Sequence, residues 1–417
     1  MLLARLLSPA LTAGALDIVG ADGRRHRVGV GTPSLTLHLH DKALHRDLVV
    51  NPRLRFGEAY MDGRLTIEGG SVYDFLALLS AGTDNVQGVL GNLRETLSPA
   101  LRLIQQSNPL GRSRRNVAHH YDLSRSFFDL FLDRDLQYSC AYFPTPDTGL
   151  DEAQEAKKRH IAAKLLLQPG MRVLDIGCGW GGMALYLARM TGAQVTGITL
   201  SREQVAVARE RAAHAGLAGQ VRFELRDYRQ MEGRFDRIVS VGMFEHVGVP
   251  HYPAFFARLR DLLAEDGVAL LHAIGRSDGP GSTNPWFRKY IFPGGYSPAL
   301  SEVIPAVEKA GLWNTDVEIL RLHYAETLRH WRERFAARRE DARAMYDERF
   351  CRMWEFYLAG AEISFRYQGH MVFQMQLARS LGAVPLVREY IQRAETALAD
   401  AVPRPLRTGR NVGASNA

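Results

Sequence analysis

Five short apolar runs, at residues 172–176, 194–200, 221–225, 237–241 and 268–274, recur between helix-patterned segments. This alternation constrains the fold more than any other feature of the chain. Runs so short and so apolar read as strands buried on both faces, which requires helices above and below them. The pattern predicts an α/β domain on a parallel, doubly wound sheet from about residue 117 onwards. Between residues 275 and 298 lies a Gly/Pro/aromatic-rich insertion, and residues 319–400 read as long helices rich in Arg and aromatics.

With 417 residues the chain exceeds what one hydrophobic core usually serves, so a second domain is expected. Residues 15–80 supply it. Leu35-Thr36-Leu37-His38-Leu39 alternates as a strand does, turns fall at Asp62-Gly63 and Gly69-Gly70, and a helix pattern follows, which together predict a small α+β domain over 1–80. Residues 81–116 read as a linker around one helical stretch, with a basic cluster at Arg112, Arg114 and Arg115, and residues 401–417 as a disordered tail.

A composition of 46% hydrophobic and 23% charged residues excludes disordered and fibrous classes. The net charge of +7 points to an anionic partner, either nucleic acid or an anionic membrane surface. Cys140, Cys178 and Cys351 are odd in number and widely spaced, so neither a disulfide framework nor a metal site is expected, and a reducing cytoplasm fits best. Leu2, Leu3, Leu6, Leu7 and Leu11 recur at helical spacing, too few to span a membrane, and no small-residue cleavage site precedes Asp22-Gly23-Arg24-Arg25. An amphipathic, surface-seeking first helix is the expectation.

The strongest local motif is Val173-Leu174-Asp175-Ile176-Gly177-Cys178-Gly179-Trp180-Gly181-Gly182, a buried strand entering a Gly-rich turn. Gly177, Gly179 and Gly182 satisfy the dinucleotide fingerprint, but that site needs an acid about 20 residues further on. Here the next strand ends Gly197-Ile198-Thr199-Leu200-Ser201 without a carboxylate, and Asp175 precedes the glycines. Asp-x-Gly-x-Gly-x-Gly resembles instead the first motif of class I methyltransferases. That resemblance implies S-adenosylmethionine as cofactor, seated against Asp175, Gly177, Gly179 and Gly181, with Thr199, Leu200, Ser201 and Gln204 facing the adenosine and Asp227-Tyr228 beside the adenine. A plainer reading stays open at two of these places, since Asp227 suits a turn cap and Ser201-Arg202-Glu203-Gln204 a capping box.

Four separated blocks then narrow the family: His119-His120-Tyr121-Asp122-Leu123, Leu136-Gln137-Tyr138-Ser139-Cys140-Ala141-Tyr142-Phe143, Gly242-Met243-Phe244-Glu245-His246-Val247-Gly248 and Lys289-Tyr290-Ile291-Phe292-Pro293-Gly294-Gly295. In this order they resemble the cyclopropane-fatty-acyl-phospholipid synthases, related to the mycolic acid cyclopropane synthases. Phe56-Gly57-Glu58-Ala59-Tyr60-Met61-Asp62-Gly63 extends the likeness to the family's lipid-associated accessory domain, and Tyr324-Ala325-Glu326-Thr327-Leu328 extends it C-terminally. The implied fold is a class I methyltransferase, a Rossmann-like doubly wound sheet, over 117–400.

The implied reaction is methyl transfer from the sulfonium of S-adenosylmethionine to a cis double bond of a phospholipid acyl chain, leaving a carbocation. Loss of a proton closes the cyclopropane ring, and water must be kept away from the cation. The resemblance implies a bound bicarbonate as base, held by Cys140, Glu245, His272 and Tyr324 with the backbone at Ile274, and adds Tyr138 and Ser139 to the cofactor contacts. Apolar walls are expected from Tyr138, Tyr142, Phe143, Phe244, Trp286, Tyr290 and Phe292. Read without the resemblance, a lone His or Cys on an apolar strand is an ordinary core residue.

Where relatives often place a cysteine in the late helix this chain has Ala361, followed by Glu362, which predicts a more polar lining and leaves a methyl-branched or other non-cyclopropane product open as the alternative. The expected partners are phospholipid acyl chains and an anionic membrane surface, met through arginines such as those of residues 329–343. The enzyme is then peripheral at the inner face of the cytoplasmic membrane, with a homodimer possible. Nucleic acid is not expected, since Met243-Phe244-Glu245-His246-Val247 replaces the Asn/Asp-Pro-Pro-Tyr type of loop.

Overall fold

A computed structural model describes residues 2–80 and 123–401. The linker at 81–116, its arginines, the His119 to Asp122 part of the first block and the tail from 402 lie outside the described residues.

The N-terminal unit is a four-stranded sheet in the order β2-β1-β3-β4, built from β1 (Gly14–Val19), β2 (Arg25–Val30), β3 (Ser34–Leu39) and β4 (Leu65–Glu68). β1 runs parallel to β3 and antiparallel to β2. Helices α1 (Leu2–Leu7), α2 (Lys42–Val50), α3 (Pro52–Met61) and α4 (Val72–Ser80) accompany it. The alternation in β3 sends Leu35, Leu37 and Leu39 inward onto Leu16, Ile18, Leu44, Leu48 and Phe75. Two helix starts are explicit in the sequence: Asp41 accepts a hydrogen bond from Leu44 N at 2.9 Å, and Pro52 opens α3. In α1, Leu3 and Leu7 are buried while Leu2 and Leu6 are exposed.

The larger unit holds a seven-stranded sheet in the order β10-β11-β9-β8-β5-β6-β7. The five expected runs are β5 (Arg172–Ile176), β6 (Gln194–Thr199), β7 (Val221–Leu225), β8 (Phe235–Val241) and β9 (Leu263–Arg276), all parallel. Two further strands, β10 (Trp313–Leu320) and β11 (His370–Ala378), join them; β11 corrects the helical reading of 319–400 and makes the sheet mixed, since it runs antiparallel to both neighbours. Gln374 and Gln376 break the apolar run of β11, but both are fully buried and hydrogen-bonded, Gln376 to the Lys164 carbonyl and Gln374 to His272.

After the short helix α5 (Arg125–Phe128), α6 (Leu150–Lys164), α7 (Gly182–Thr191) and α8 (Arg202–His214) pack on one face of the sheet through Ile161, Leu185 and Ala208. Helices α9 (Tyr252–Leu262) and α11 (Leu300–Lys309) pack on the other through Phe255, Phe256 and Val303, and the short α10 (Pro285–Tyr290) lies between them in sequence. The remaining helices are α12 (His323–Ala337), α13 (Arg339–Met345), α14 (Glu348–Tyr367) and α15 (Tyr390–Asp400). Phe127, Phe128, Phe131, Trp331 and Trp354 join α5, α12 and α14 in an aromatic cluster, while α15 packs on α6.

The two units meet through sequence blocks that had no partner in the linear reading. Glu58 takes hydrogen bonds from Lys289 Nζ at 2.6 Å and Tyr290 Oη at 3.0 Å, and Tyr60 Oη donates to Glu355 at 3.0 Å. Trp286, with no exposed surface, donates to the Met61 sulfur at 3.3 Å. The arginines of residues 329–343 are not a free basic face: each pairs with a carboxylate, among them Arg329 with Glu326 and Glu333, Arg334 with Asp151 and Arg339 with Glu355. No helix among the described residues is long and apolar enough to cross a membrane.

Gly57 is the tightest point of the seam, because a Cβ there would stand 2.5 Å from the Trp286 ring and 2.7 Å from Phe356. Gly57→Ala is expected to destabilise the protein by about 1–3 kcal/mol through overpacking. Denaturant unfolding checks this, and a wild-type midpoint would contradict it.

Candidate active site

At the C-terminal ends of β5, β6, β7 and β8 the sheet opens into a cavity of about 160 Å³. Tyr138, Ser139, Asp175, Gly177, Gly179, Thr199, Leu200, Gln204, Asp227 and Tyr228 line it. Gly177 sits at φ +84° with its open side 2.8 Å short of Met243, so only glycine suits both the backbone and the space. Thr199 Oγ1 donates to Gln204 Oε1 at 2.8 Å, fixing the Gln204 amide toward the cavity edge. Asp227 is held by the Arg229 guanidinium at 2.7 and 2.8 Å while it also caps the Arg229 backbone N–H at 2.9 Å, so the capping reading and the cavity reading are both realised there.

Gly181 and Ser201 do not line the cavity, and each has a structural task beside it. At Gly181 a Cβ would lie 2.7 Å from Phe223, so the glycine serves helix packing, and Ser201 caps α8 by accepting from Gln204 N. Sequence reasoning gave no role to Met243, His246, Val247, His251, Trp180 and Arg229, which do line the cavity. Of these, Trp180 stood in the glycine-turn motif and Met243, His246 and Val247 in a family block, while His251 and Arg229 carried no signal.

Asp175 is buried with one carboxylate oxygen unpartnered among the described residues, and burial pushes its acid up to about 7. A carboxylate so placed favours an ammonium or sulfonium ligand, whose charge would restore its ionised form. The glycine turn, the helix start behind it and this orphaned carboxylate fit the amino-acid end of S-adenosylmethionine.

A second cavity, about 350 Å³, begins where the first ends, and four residues line both: Tyr138, Ser139, Gly242 and His246. Cys140, Glu245, His272, Ile274 and Tyr324 all line the second cavity. From there it extends to Leu3, Leu7, Leu37, Leu48 and Phe75 of the N-terminal unit. Of the expected aromatic walls only Tyr138 and Phe292 take part; Tyr142, Phe143, Phe244, Trp286 and Tyr290 pack elsewhere, and Phe56, Phe287, Phe356, Tyr357 and Phe365 stand in their place. Ala361 lines the channel, but Glu362 does not. Buried and paired with Arg332 at 3.0 Å and Arg366 at 3.0 Å, Glu362 turns away from it, which corrects the expected polar lining.

Glu245 Oε1 accepts from Ile274 N at 2.7 Å, while Oε2 is buried without a partner among the described residues. His272 is equally buried. Its Nδ1 lies 3.2 Å from the Gln374 amide nitrogen, and donation from that amide leaves the ring proton on Nε2, also unpartnered among the described residues. Burial holds His272 well below its ordinary pKa and pushes the Cys140 thiol up, so both are neutral. His246, lowered to about 4 by burial, is neutral as well. No cluster of metal-ligating side chains occurs among the described residues.

The strand order, the glycine turn and the cavity above it define a class I methyltransferase fold, the S-adenosylmethionine-dependent class of enzyme. Residues 109–375 match the family model described as mycolic acid cyclopropane synthetase, and the chain belongs to that family. Residues 5–87 match a domain of unknown function. The chain is 38% identical to the tuberculostearic acid methyltransferase of Mycobacterium tuberculosis, over 90% of each. It is 39% identical to the cyclopropane-fatty-acyl-phospholipid synthase of Escherichia coli (strain K12), over 79% of this chain and 84% of that one. Among solved structures it resembles a mycolic acid cyclopropane synthase complexed with S-adenosylhomocysteine and CTAB, at 36% identity and a TM-score of 0.61, over 65% of this chain and 99% of the other.

Burial pushes Glu245 from 4.5 up to about 7. A carboxyl with a raised folded pKa leaves stability intact below about 4.5 and costs stability as the pH rises through 7. Glu245→Gln keeps the acceptor for Ile274 N and removes the titration. It is expected to be more stable than wild type at pH 8, by up to about 3 kcal/mol, with the difference shrinking toward pH 4.5. Denaturant unfolding at both pH values measures it; a variant no more stable at pH 8 contradicts the assigned burial.

Proposed function

We propose that this enzyme transfers a one-carbon unit from S-adenosylmethionine to the cis double bond of an unsaturated phospholipid acyl chain, forming a cyclopropane fatty acid. The observation that carries the reading is the junction of the two cavities at Tyr138, Ser139, Gly242 and His246, with Glu245 and His272 lining the channel that starts there. S-adenosylmethionine supplies an electrophilic sulfonium methyl group. The chain's residues hold it on the Gly177 to Gly179 turn, with Asp175 facing its cationic end.

The channel's aliphatic and aromatic lining excludes water from the transient cation. That lining also receives an acyl tail whose withdrawal from the bilayer costs about 0.8 kcal/mol per CH₂. Neutral His246 and His272 place no positive charge beside the cation. The buried orphan atoms Glu245 Oε2 and His272 Nε2, with the Tyr324 side chain in the same channel, fit a small oxyanion, and Cys140 borders it. A bicarbonate held by them would supply the base. Glu245, at about 7, exists in both protonation states near neutrality, so it can either donate to such an anion or accept from it.

The reading divides the chain into an acyl-receiving accessory domain over 1–80 and a catalytic domain over 117–400, and puts the protein on the inner face of the cytoplasmic membrane, with a homodimer as its assembly. In α1 the channel-lining Leu3 and Leu7 alternate with exposed Leu2 and Leu6, an arrangement suited to a lipid surface. The likeness to a tuberculostearic acid methyltransferase supports a second reading, a methyl-branched product from the same cation.

Incubation of the purified protein with S-adenosylmethionine and vesicles of cis-monounsaturated phospholipid is expected to add CH₂ to acyl chains. With a hydride donor such as NADPH added, a saturated methyl branch would instead add CH₄, and methylation of RNA or an amine with untouched lipid would refute the lipid reading. Glu245→Gln and His272→Ala are each expected to lower turnover by about 100-fold or more while leaving cofactor affinity nearly intact. Weakened cofactor binding with normal turnover would speak against both roles.

A further inference from the structure

Helix α6 turns two polar side chains, Gln154 and Lys157, into the protein interior three residues apart, both with no exposed surface. Gln154 Nε2 donates to the backbone oxygens of Gln137 at 3.2 Å and Ser139 at 2.9 Å. Lys157 Nζ donates to Gln137 Oε1 and to Ser139 Oγ, each at 2.8 Å. No carboxylate pairs with Lys157 among the described residues. A buried ammonium without a carboxylate is expensive, so the fold keeps this charge for something other than its own stability.

The hydrogen bonding around Ser139 shows what the charge does. An ammonium only donates, so Ser139 Oγ is the acceptor in their contact and its own O–H must donate elsewhere. No described residue receives that hydrogen, and Ser139 lines the cofactor cavity. The same cavity carries the orphaned carboxylate oxygen of Asp175. It therefore offers a carboxylate together with a hydroxyl donor backed by a buried cation, the complement of a zwitterionic amino-acid group.

Resting on the cofactor assignment above, we propose that Lys157 is a positioning residue that directs the Ser139 hydroxyl onto the α-carboxylate of the cofactor's amino-acid end. Burial and the neighbouring Lys158 lower Lys157 to about 8 against the opposing fields of Asp133, Cys140 and Asp135, so it is mostly charged at neutral pH.

The test compares two probes by calorimetry: S-adenosylhomocysteine, which has the amino-acid end, and 5′-methylthioadenosine, which lacks it. Lys157→Met, Lys157→Gln and Ser139→Ala are each expected to weaken S-adenosylhomocysteine about 10-fold, the scale of one charge-assisted hydrogen bond, and to leave 5′-methylthioadenosine unchanged. Because Lys157 acts through Ser139, the double variant should bind no more weakly than Ser139→Ala alone. Either lysine variant serves if the other does not fold. Equal loss for both probes, multiplied losses in the double variant, or unchanged binding would each overturn the proposal. Failure of the wild type to bind S-adenosylhomocysteine would instead sink the cofactor assignment.

Discussion

The grip of α6 on the segment from Gln137 to Cys140 is the contact on which the rest of the active site depends. Three consecutive residues of that segment serve two tasks: Tyr138 and Ser139 stand at the junction of the cavities, and Cys140 borders the channel. Gln154 and Lys157 hold the segment itself, and α12 holds the residues that follow it, where Thr327 Oγ1 accepts from Ala141 N at 3.0 Å and His323 Nδ1 from Phe143 N at 2.9 Å. Tyr324 lies one position past His323, so the same helix that fixes the segment also brings Tyr324 to the channel. A misplacement of this loop would move the cofactor and the acyl site together.

Around that segment the protein keeps titratable groups dry, and their protonation follows from burial rather than from paired charges. Asp175 and Glu245 are both pushed up to about 7 and each leaves an oxygen unpartnered among the described residues, while His246 and His272 are held neutral. Glu362 shows the contrasting solution, a buried carboxylate neutralised by Arg332 and Arg366. Asp175 and Glu245, left without a cation, face the cavities, whereas Glu362, given two, faces away.

The N-terminal unit is part of this chemistry because its apolar core does not close on itself. Leu3, Leu7, Leu37, Leu48 and Phe75 belong both to that core and to the channel lining. Its seam with the larger unit, Gly57 and Glu58 against Trp286, Lys289 and Tyr290, adjoins channel residues Asn284, Phe287 and Phe292. The seam and the channel wall are therefore built from neighbouring residues of the same segment.

The sequence by itself determined the parallel strands, the glycine turn and the family, because each rests on local periodicity or on a contiguous motif whose backbone demands are written in consecutive residues, as at Gly177. Glu245 was legible inside a family block, and His272 as a polar residue in the fifth apolar run to which the resemblance pointed. Tertiary structure alone decided that β11 is a strand, since Gln374 and Gln376 become tolerable inside only when the Lys164 carbonyl and His272 receive them. It also decided that the 329–343 arginines are neutralised by acids up to 183 residues away in sequence, as in Arg334 with Asp151, and that Glu362 faces its arginines and not the channel. Lys157 belongs to the same class: on a helix it reads as one more solvated lysine, and only burial against Ser139 gives it a role. Polar groups acquire their meaning from partners distant in sequence, and periodicity carries no record of those partners.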